Sequence, residues 1–138
     1  MQISLSFLAS LLALSCTAAA LDSAALLGIN CRGSAGCAGS GAIGGQGTRL
    51  SQIKKEIDQV DNNRHFNNGE HIACLNNKLG TGICAFFQNT SGGGNGADAK
   101  RLVQDLLNHG CSACGSVPTN PGNDVSKGQL TVNYVGKP

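Results

Sequence analysis

Asn108-His109-Gly110-Cys111-Ser112-Ala113-Cys114-Gly115-Ser116 sets two cysteines three positions apart, directly after a glycine that stops a helix. A bridge between Cys111 and Cys114 would close a ring too tight for relaxed disulfide geometry, so each sulfur must reach a distant partner. Cys31 and Cys37 are the distant pair. Two registers follow: Cys31 with Cys111 and Cys37 with Cys114, or the crossed alternative. Either one ties the N-terminal segment to the end of the second helix. Cys74 and Cys84 are then left for each other, on two neighbouring strands.

Outward to the N-terminus, Met1 to Ala20 carries no charged side chain, holds an apolar run from Ile3 to Leu14 and ends in Thr17-Ala18-Ala19-Ala20. That is the pattern of a secretory signal peptide over residues 1–20. The run is too short to cross a bilayer as a helix, and no later stretch offers 18 uninterrupted apolar residues. The expectation is a secreted, extracellular product with no membrane insertion. Residues 21–26 read as a short pro-segment and 27–138 as one domain. Cys16 leaves with the signal, so seven cysteines become six, an even count that reads as a disulfide framework.

With no Trp, one Tyr and four Phe, the core is modest, and each bridge contributes about 2–4 kcal/mol to holding it. The formal net charge is +2, from ten basic and eight acidic residues with no run of one sign. Nucleic-acid binding and anionic-membrane binding both need concentrated positive charge, which this chain lacks. Any functional cation must act locally.

Leu26-Leu27-Gly28-Ile29-Asn30-Cys31 reads as a short strand, and the glycine-rich segment Gly33 to Gly47 as loop. Gly39-Ser40-Gly41-Ala42-Ile43-Gly44 fits a dinucleotide fingerprint by spacing, but no strand feeds it and the acids in range, Asp58 and Asp61, belong to a helix. No cofactor is expected. Leu50, Ile53, Ile57 and Val60 recur at helical spacing, which predicts an amphipathic helix from Thr48, its N-cap, to about Asn62. Arg64-His65-Phe66, Asn67-Asn68-Gly69 and Glu70 to Leu75 read as a hairpin, because Asn-Gly tolerates the positive φ of a tight turn. Asn76 to Gly82 is a second turn, and Ile83-Cys84-Ala85-Phe86-Phe87-Gln88 is the most apolar and central strand. A second helix runs from about Ala97 to His109, capped by Asn95 and closed by Gly110. Cys114 to Val117 and the alternating Gln129 to Val135 supply the last strands. The fold class is α+β: a two-layer α/β sandwich with an antiparallel sheet of about five strands, two amphipathic helices and disulfide staples.

Cys111 and Cys114 follow a helix C-terminus, where the dipole disfavours thiolate, so a redox reading gives way to structural bridges. Cys31 and Cys37 lack zinc-ligand spacing, and no metal is expected. The dibasic pairs Lys54-Lys55 and Lys100-Arg101 lie inside predicted helices and read as solvated faces rather than processing sites. His109 sits in a helix's last turn, a favourable place for a cation. Arg64, His65, Glu70 and His71 offer the cation, acid and base of a small secreted ribonuclease, but strand alternation points Glu70 and His71 to opposite faces. No catalytic residue is assigned. Asn89-Thr90-Ser91 is an N-glycosylation acceptor sequence, which makes Asn89 a candidate modification site.

Three stretches carry a resemblance: Leu27-Gly28-Ile29-Asn30-Cys31-Arg32-Gly33-Ser34, Asn108 through Ser116, and Gly122-Asn123-Asp124-Val125-Ser126-Lys127-Gly128-Gln129-Leu130-Thr131-Val132-Asn133-Tyr134-Val135. They closely resemble the fungal killer toxin family called killer protein four, whose founding member is a virus-encoded toxin of a smut fungus. The resemblance implies the α/β sandwich and the parallel register, Cys31 with Cys111 and Cys37 with Cys114. It implies inhibition of fungal or plant growth by blocking calcium channels through exposed positive charge, without catalysis. The implied partner is a membrane calcium channel or another surface receptor of a target cell, engaged by a monomer. The founding toxin has more cysteines, and its activity-linked lysine aligns with Ile72 here. Lys127 matches a basic family position, and Lys78 and Arg32 are further target-binding candidates.

Overall fold

The computed structural model describes residues 27–39 and 49–138. The elements follow as α1 (Ala35–Gly39), α2 (Arg49–Asp58), β1 (His65–Phe66), β2 (Ala73–Asn76), β3 (Gly82–Gln88), β4 (Gly94–Asn95), α3 (Gly96–Asn108), β5 (Gly115–Pro118) and β6 (Gln129–Val135), with a 3-10 turn at Val125–Lys127. The stretches read as signal peptide and pro-segment, most of the glycine-rich loop and the expected Thr48 cap lie outside the described residues. No described helix is long and apolar enough to cross a membrane.

The helical stripes do what their spacing dictates. Leu50, Ile53 and Ile57 of α2 and Ala99, Leu102, Val103 and Leu106 of α3 are buried, and the two helices pack on each other and on the sheet. α3 starts where Asn95 Oδ1 accepts the Asp98 N–H at 2.8 Å, and it ends before Gly110 at φ +96°. α2 stops at Asp58, four residues short of the expected end. Its last turn tightens through bonds from Gln59 N–H to the Glu56 carbonyl and from Val60 N–H to the Ile57 carbonyl.

Four antiparallel strands make the main sheet, in the order β2-β3-β6-β5. β3 is internal, as its apolarity suggested: Ile83, Ala85 and Phe87 face the core beside Leu130 and Val132 of β6. Each such side chain, fully buried, contributes about 1.5–3 kcal/mol. Cys74 lies directly opposite Cys84 in the β2–β3 register, and the two are bonded. Cys31 is bonded to Cys111 and Cys37 to Cys114, so the parallel register is the one adopted.

The α+β, disulfide-stapled class stands, with three local differences. First, the strands divide into a sheet of four and a ribbon of two rather than one sheet of about five. The turn at Gly69 forms, with φ +81°, but β1 does not return onto β2. It pairs instead with β4, Phe66 opposite Gly94 and His65 opposite Asn95. The glycines make that approach feasible: a Cβ on Gly93 would stand 1.9 Å from the Phe66 carbonyl oxygen, and one on Gly94 would stand 2.4 Å from the Phe87 ring. Second, Leu26 to Cys31 is not a strand in its described part; Asn30 makes a single antiparallel bridge to Ser116 of β5, because the two exchange one pair of backbone bonds. Third, the segment read wholly as loop holds the short helix α1, packed on β6, where the Asn133 side chain accepts the Ser34 N–H at 2.9 Å.

Candidate functional site

Lys127 is an exposed cation on a stiff support. Asn123, at φ +51°, accepts the Ile29 N–H on its side chain, which fastens the N-terminal segment to this loop. Asp124 caps the 3-10 turn: its carboxylate accepts from the Ser126 hydroxyl at 2.7 Å and from the Ser126 N–H at 3.0 Å. The Ser126 hydroxyl, then its N–H, hold the Asp124 carboxyl below the usual carboxylate range against the opposing effect of burial, and the Lys127 charge lowers it further. Beyond Lys127, Gly128 takes φ +124°, and a Cβ there would stand 2.5 Å from the Thr119 hydroxyl oxygen. The Lys127 carbonyl accepts from the Asn120 side chain at 2.8 Å. The backbone under the ammonium group is therefore ordered before any partner arrives, which reduces the entropy cost of contact.

Lys78 occupies the β2–β3 turn, also exposed. The Asn77 carbonyl group of the side chain accepts from Leu79 N–H at 2.9 Å and Thr81 N–H at 3.2 Å, and Gly80 closes the turn at φ +78°. Leu79 beside it is 84% exposed, the most exposed large apolar residue among those described. Arg32 is exposed next to the Cys31–Cys111 bridge, its N–H donating to Asn30 Oδ1. These cations do not form one cluster. In the register of β3 with β6, Gln88 faces Gln129 and Gly82 faces Val135, so Lys127 and Lys78 stand at opposite ends of the sheet. Seven residues of strand separate them by roughly 20 Å.

Ile72, where the resemblance places the family lysine, is 7% exposed and belongs to the core; its N–H donates to the Ala85 carbonyl. That position cannot display a charge without leaving its packing.

The acid, base and cation of the ribonuclease reading are dispersed. Arg64 lies over the Phe66 ring at 4.5 Å and pairs with Glu70 at 3.5 Å. Glu70 also accepts the Asn67 N–H, so it serves the turn. His65 is in the β1–β4 ribbon, while His71 faces the Phe86 ring at 6.0 Å. Neither histidine makes a hydrogen bond or ion pair with Glu70 among the described residues. The reason lies in the overturned hairpin: with β1 paired to β4, Glu70 and His71 fall in a connector rather than across from His65. His71 also lies within 4.8 Å of both Cys74 and Cys84 sulfurs, but these are bonded to each other and offer no thiolate to a metal. His109 caps α3 with its backbone N–H donating to the Asp105 carbonyl. Lys54-Lys55 lies in α2, with Lys54 paired to Asp58; Lys100-Arg101 lies in α3, with Arg101 between Asp98 and Asp105. Asn89, in the left-handed region at φ +54°, is exposed immediately after β3.

Sequence reasoning missed how much of the Lys127 loop is built by asparagine side chains, Asn120 and Asn123 among them. Gly122 before Asn123 and Gly128 after Lys127 were the available signal, since glycines that bracket a charge mark a shaped loop.

A family model described as Kp4 matches residues 14–136. The chain is 45% identical over 113 residues to the KP4 killer toxin of Ustilago maydis P4 virus, which covers 79% of this chain and 80% of that relative.

Proposed function

The chain belongs to the Kp4 killer toxin family, and from that premise we propose that it is a secreted toxin that inhibits growth of competing fungi or plant tissue by impairing calcium influx. The observation that carries the reading is the 45% identity to a killer toxin over most of both chains. A scaffold stapled by three disulfides suits an oxidising, extracellular setting. The toxin acts by contact: a cation on a fixed loop meets an acidic surface on a channel or other receptor, and Lys127 is the principal contact, with Lys78 and Arg32 as separate secondary ones. The polypeptide acts as a monomer and does not enter the bilayer.

Burial of Ile72 favours a second reading, in which the scaffold persists as a non-toxic secreted binding module. Growth of sensitive fungal cells and plant root tips in the purified protein, with and without added calcium, separates the two. Inhibition that calcium relieves supports the toxin reading. Saturable surface binding without growth arrest supports the module and overturns it.

A further inference from the structure

Asn89 differs from the asparagines around it. Asn68, Asn95, Asn120 and Asn123 each commit a side-chain atom to a hydrogen bond that holds a turn or a cap. The Asn89 carboxamide makes no such bond among the described residues, and it is exposed. Its neighbour Thr90 is tied down: the Thr90 hydroxyl donates to Asn68 Oδ1 at 2.8 Å and accepts from the Gly93 N–H. The acceptor sequence Asn89-Thr90-Ser91 therefore presents its first and third residues to solvent while its middle residue anchors the turn.

β3 ends at Gln88, opposite Gln129, so Asn89 runs beside the loop that carries Lys127. A Cβ on Gly128 would stand 3.5 Å from the Asn89 carbonyl oxygen. Any bulky group on the Asn89 side chain stands at the Lys127 end of the sheet and far from Lys78.

We propose that Asn89 carries an N-linked glycan whose base screens Lys127 from its target. The modification rests on the chain being secreted, and the screening rests on the contact role given to Lys127 above. In the transfer, the Asn89 amide nitrogen bonds to the anomeric carbon of a lipid-pyrophosphate oligosaccharide. The bond from that carbon to the pyrophosphate oxygen breaks, the lipid pyrophosphate leaves with the electron pair, and the amide gives up one proton. Asparagine meets both demands of the position, since it accepts the sugar and tolerates φ +54°.

The test is expression of the full chain in a eukaryotic secretory host, with intact mass measured before and after treatment with an N-glycan-releasing amidase. Ser91→Ala removes the acceptor sequence, and Asn89→Gly removes the acceptor while suiting the left-handed backbone. The expected result for the natural chain is a mass loss of one oligosaccharide, with residue 89 left as an aspartate by hydrolysis of the amide, and no change for either variant. Both variants should inhibit growth at concentrations several-fold lower than the glycosylated form. A natural chain with unchanged mass overturns the modification, whether or not any form is toxic. A glycosylated chain as potent as both variants overturns the screening. Absence of toxicity in every form counts against the toxin reading and therefore the screening, while the mass measurement still decides the modification.

Discussion

Breaking one of the two neighbouring staples should cost far less than its span suggests. A cross-link restrains the unfolded chain by an amount that grows with the logarithm of the ring it closes. The separations of 80 and 77 residues correspond to about 4.5 kcal/mol for either bridge acting alone at 25 °C. The two bridges are neighbours, however: Cys31 and Cys37 are six positions apart, and Cys111 and Cys114 are three. With one in place, the other closes a ring of only about nine residues, which corresponds to about 2.6 kcal/mol. Replacing Cys31 and Cys111 by Ala, or Cys37 and Cys114, should therefore cost about as much as replacing Cys74 and Cys84, whose separation is 10 and whose bridge corresponds to about 2.7 kcal/mol. Removing both long staples should cost about 7 kcal/mol, well beyond the two single losses together. Small domains hold only about 5–15 kcal/mol in reserve, so a loss of that size removes a large share of the native state's margin. Cys111 and Cys114 are buried, and truncating them adds a packing loss to each variant. Urea denaturation followed by far-UV circular dichroism reads all of these. A variant lacking both staples that loses no more than the two single losses together would refute the shared-ring argument.

Other consequences are simpler. Ile72→Lys, which introduces the lysine that the resemblance implies at this position, should lose about 2–5 kcal/mol in urea denaturation from lost packing alone, because Ile72 is buried in the core; an unchanged midpoint would mean that the position opens to solvent. The Asp124 carboxyl lies below its usual 3.8, so its contribution is complete above about pH 4 and is lost as pH falls through the lower native value. Asp124→Asn should accordingly flatten the acid side of the stability profile, read as urea midpoint against pH, and a profile identical to the natural one would contradict this. Lys127→Gln should weaken growth inhibition without moving the urea midpoint. Lys78→Gln should have a separate effect, because the two cations stand at opposite ends of the sheet, so a double variant departing from the product of the single effects would argue for a common contact.

The sequence made the helices and the inner strands legible for a physical reason. Apolar spacing in α3 and the run in β3 reflect burial along a whole face, and Asn95 with Gly110 are local end signals that need no tertiary help. The misread regions depend on contacts distant in sequence. β1 leaves its apparent hairpin partner because Gly93 and Gly94 admit the Phe66 backbone and the Phe87 ring, and those glycines read as loop until their neighbours are known. The helix α1 has only five residues and no apolar period to announce it; its support comes from β6, nearly a hundred positions away. The candidate cations were visible as residue types, but only the β3–β6 register shows that Lys127 and Lys78 cannot share one patch.

Calcium influx into sensitive fungal cells, followed with an intracellular calcium dye after a depolarising stimulus in the presence of the purified protein, reads the proposed action of Lys127 directly. A dose-dependent fall in influx is expected, which Lys127→Gln weakens while the variant keeps its native urea midpoint. Growth arrest with undiminished influx would contradict it, as would an unaltered effect of Lys127→Gln.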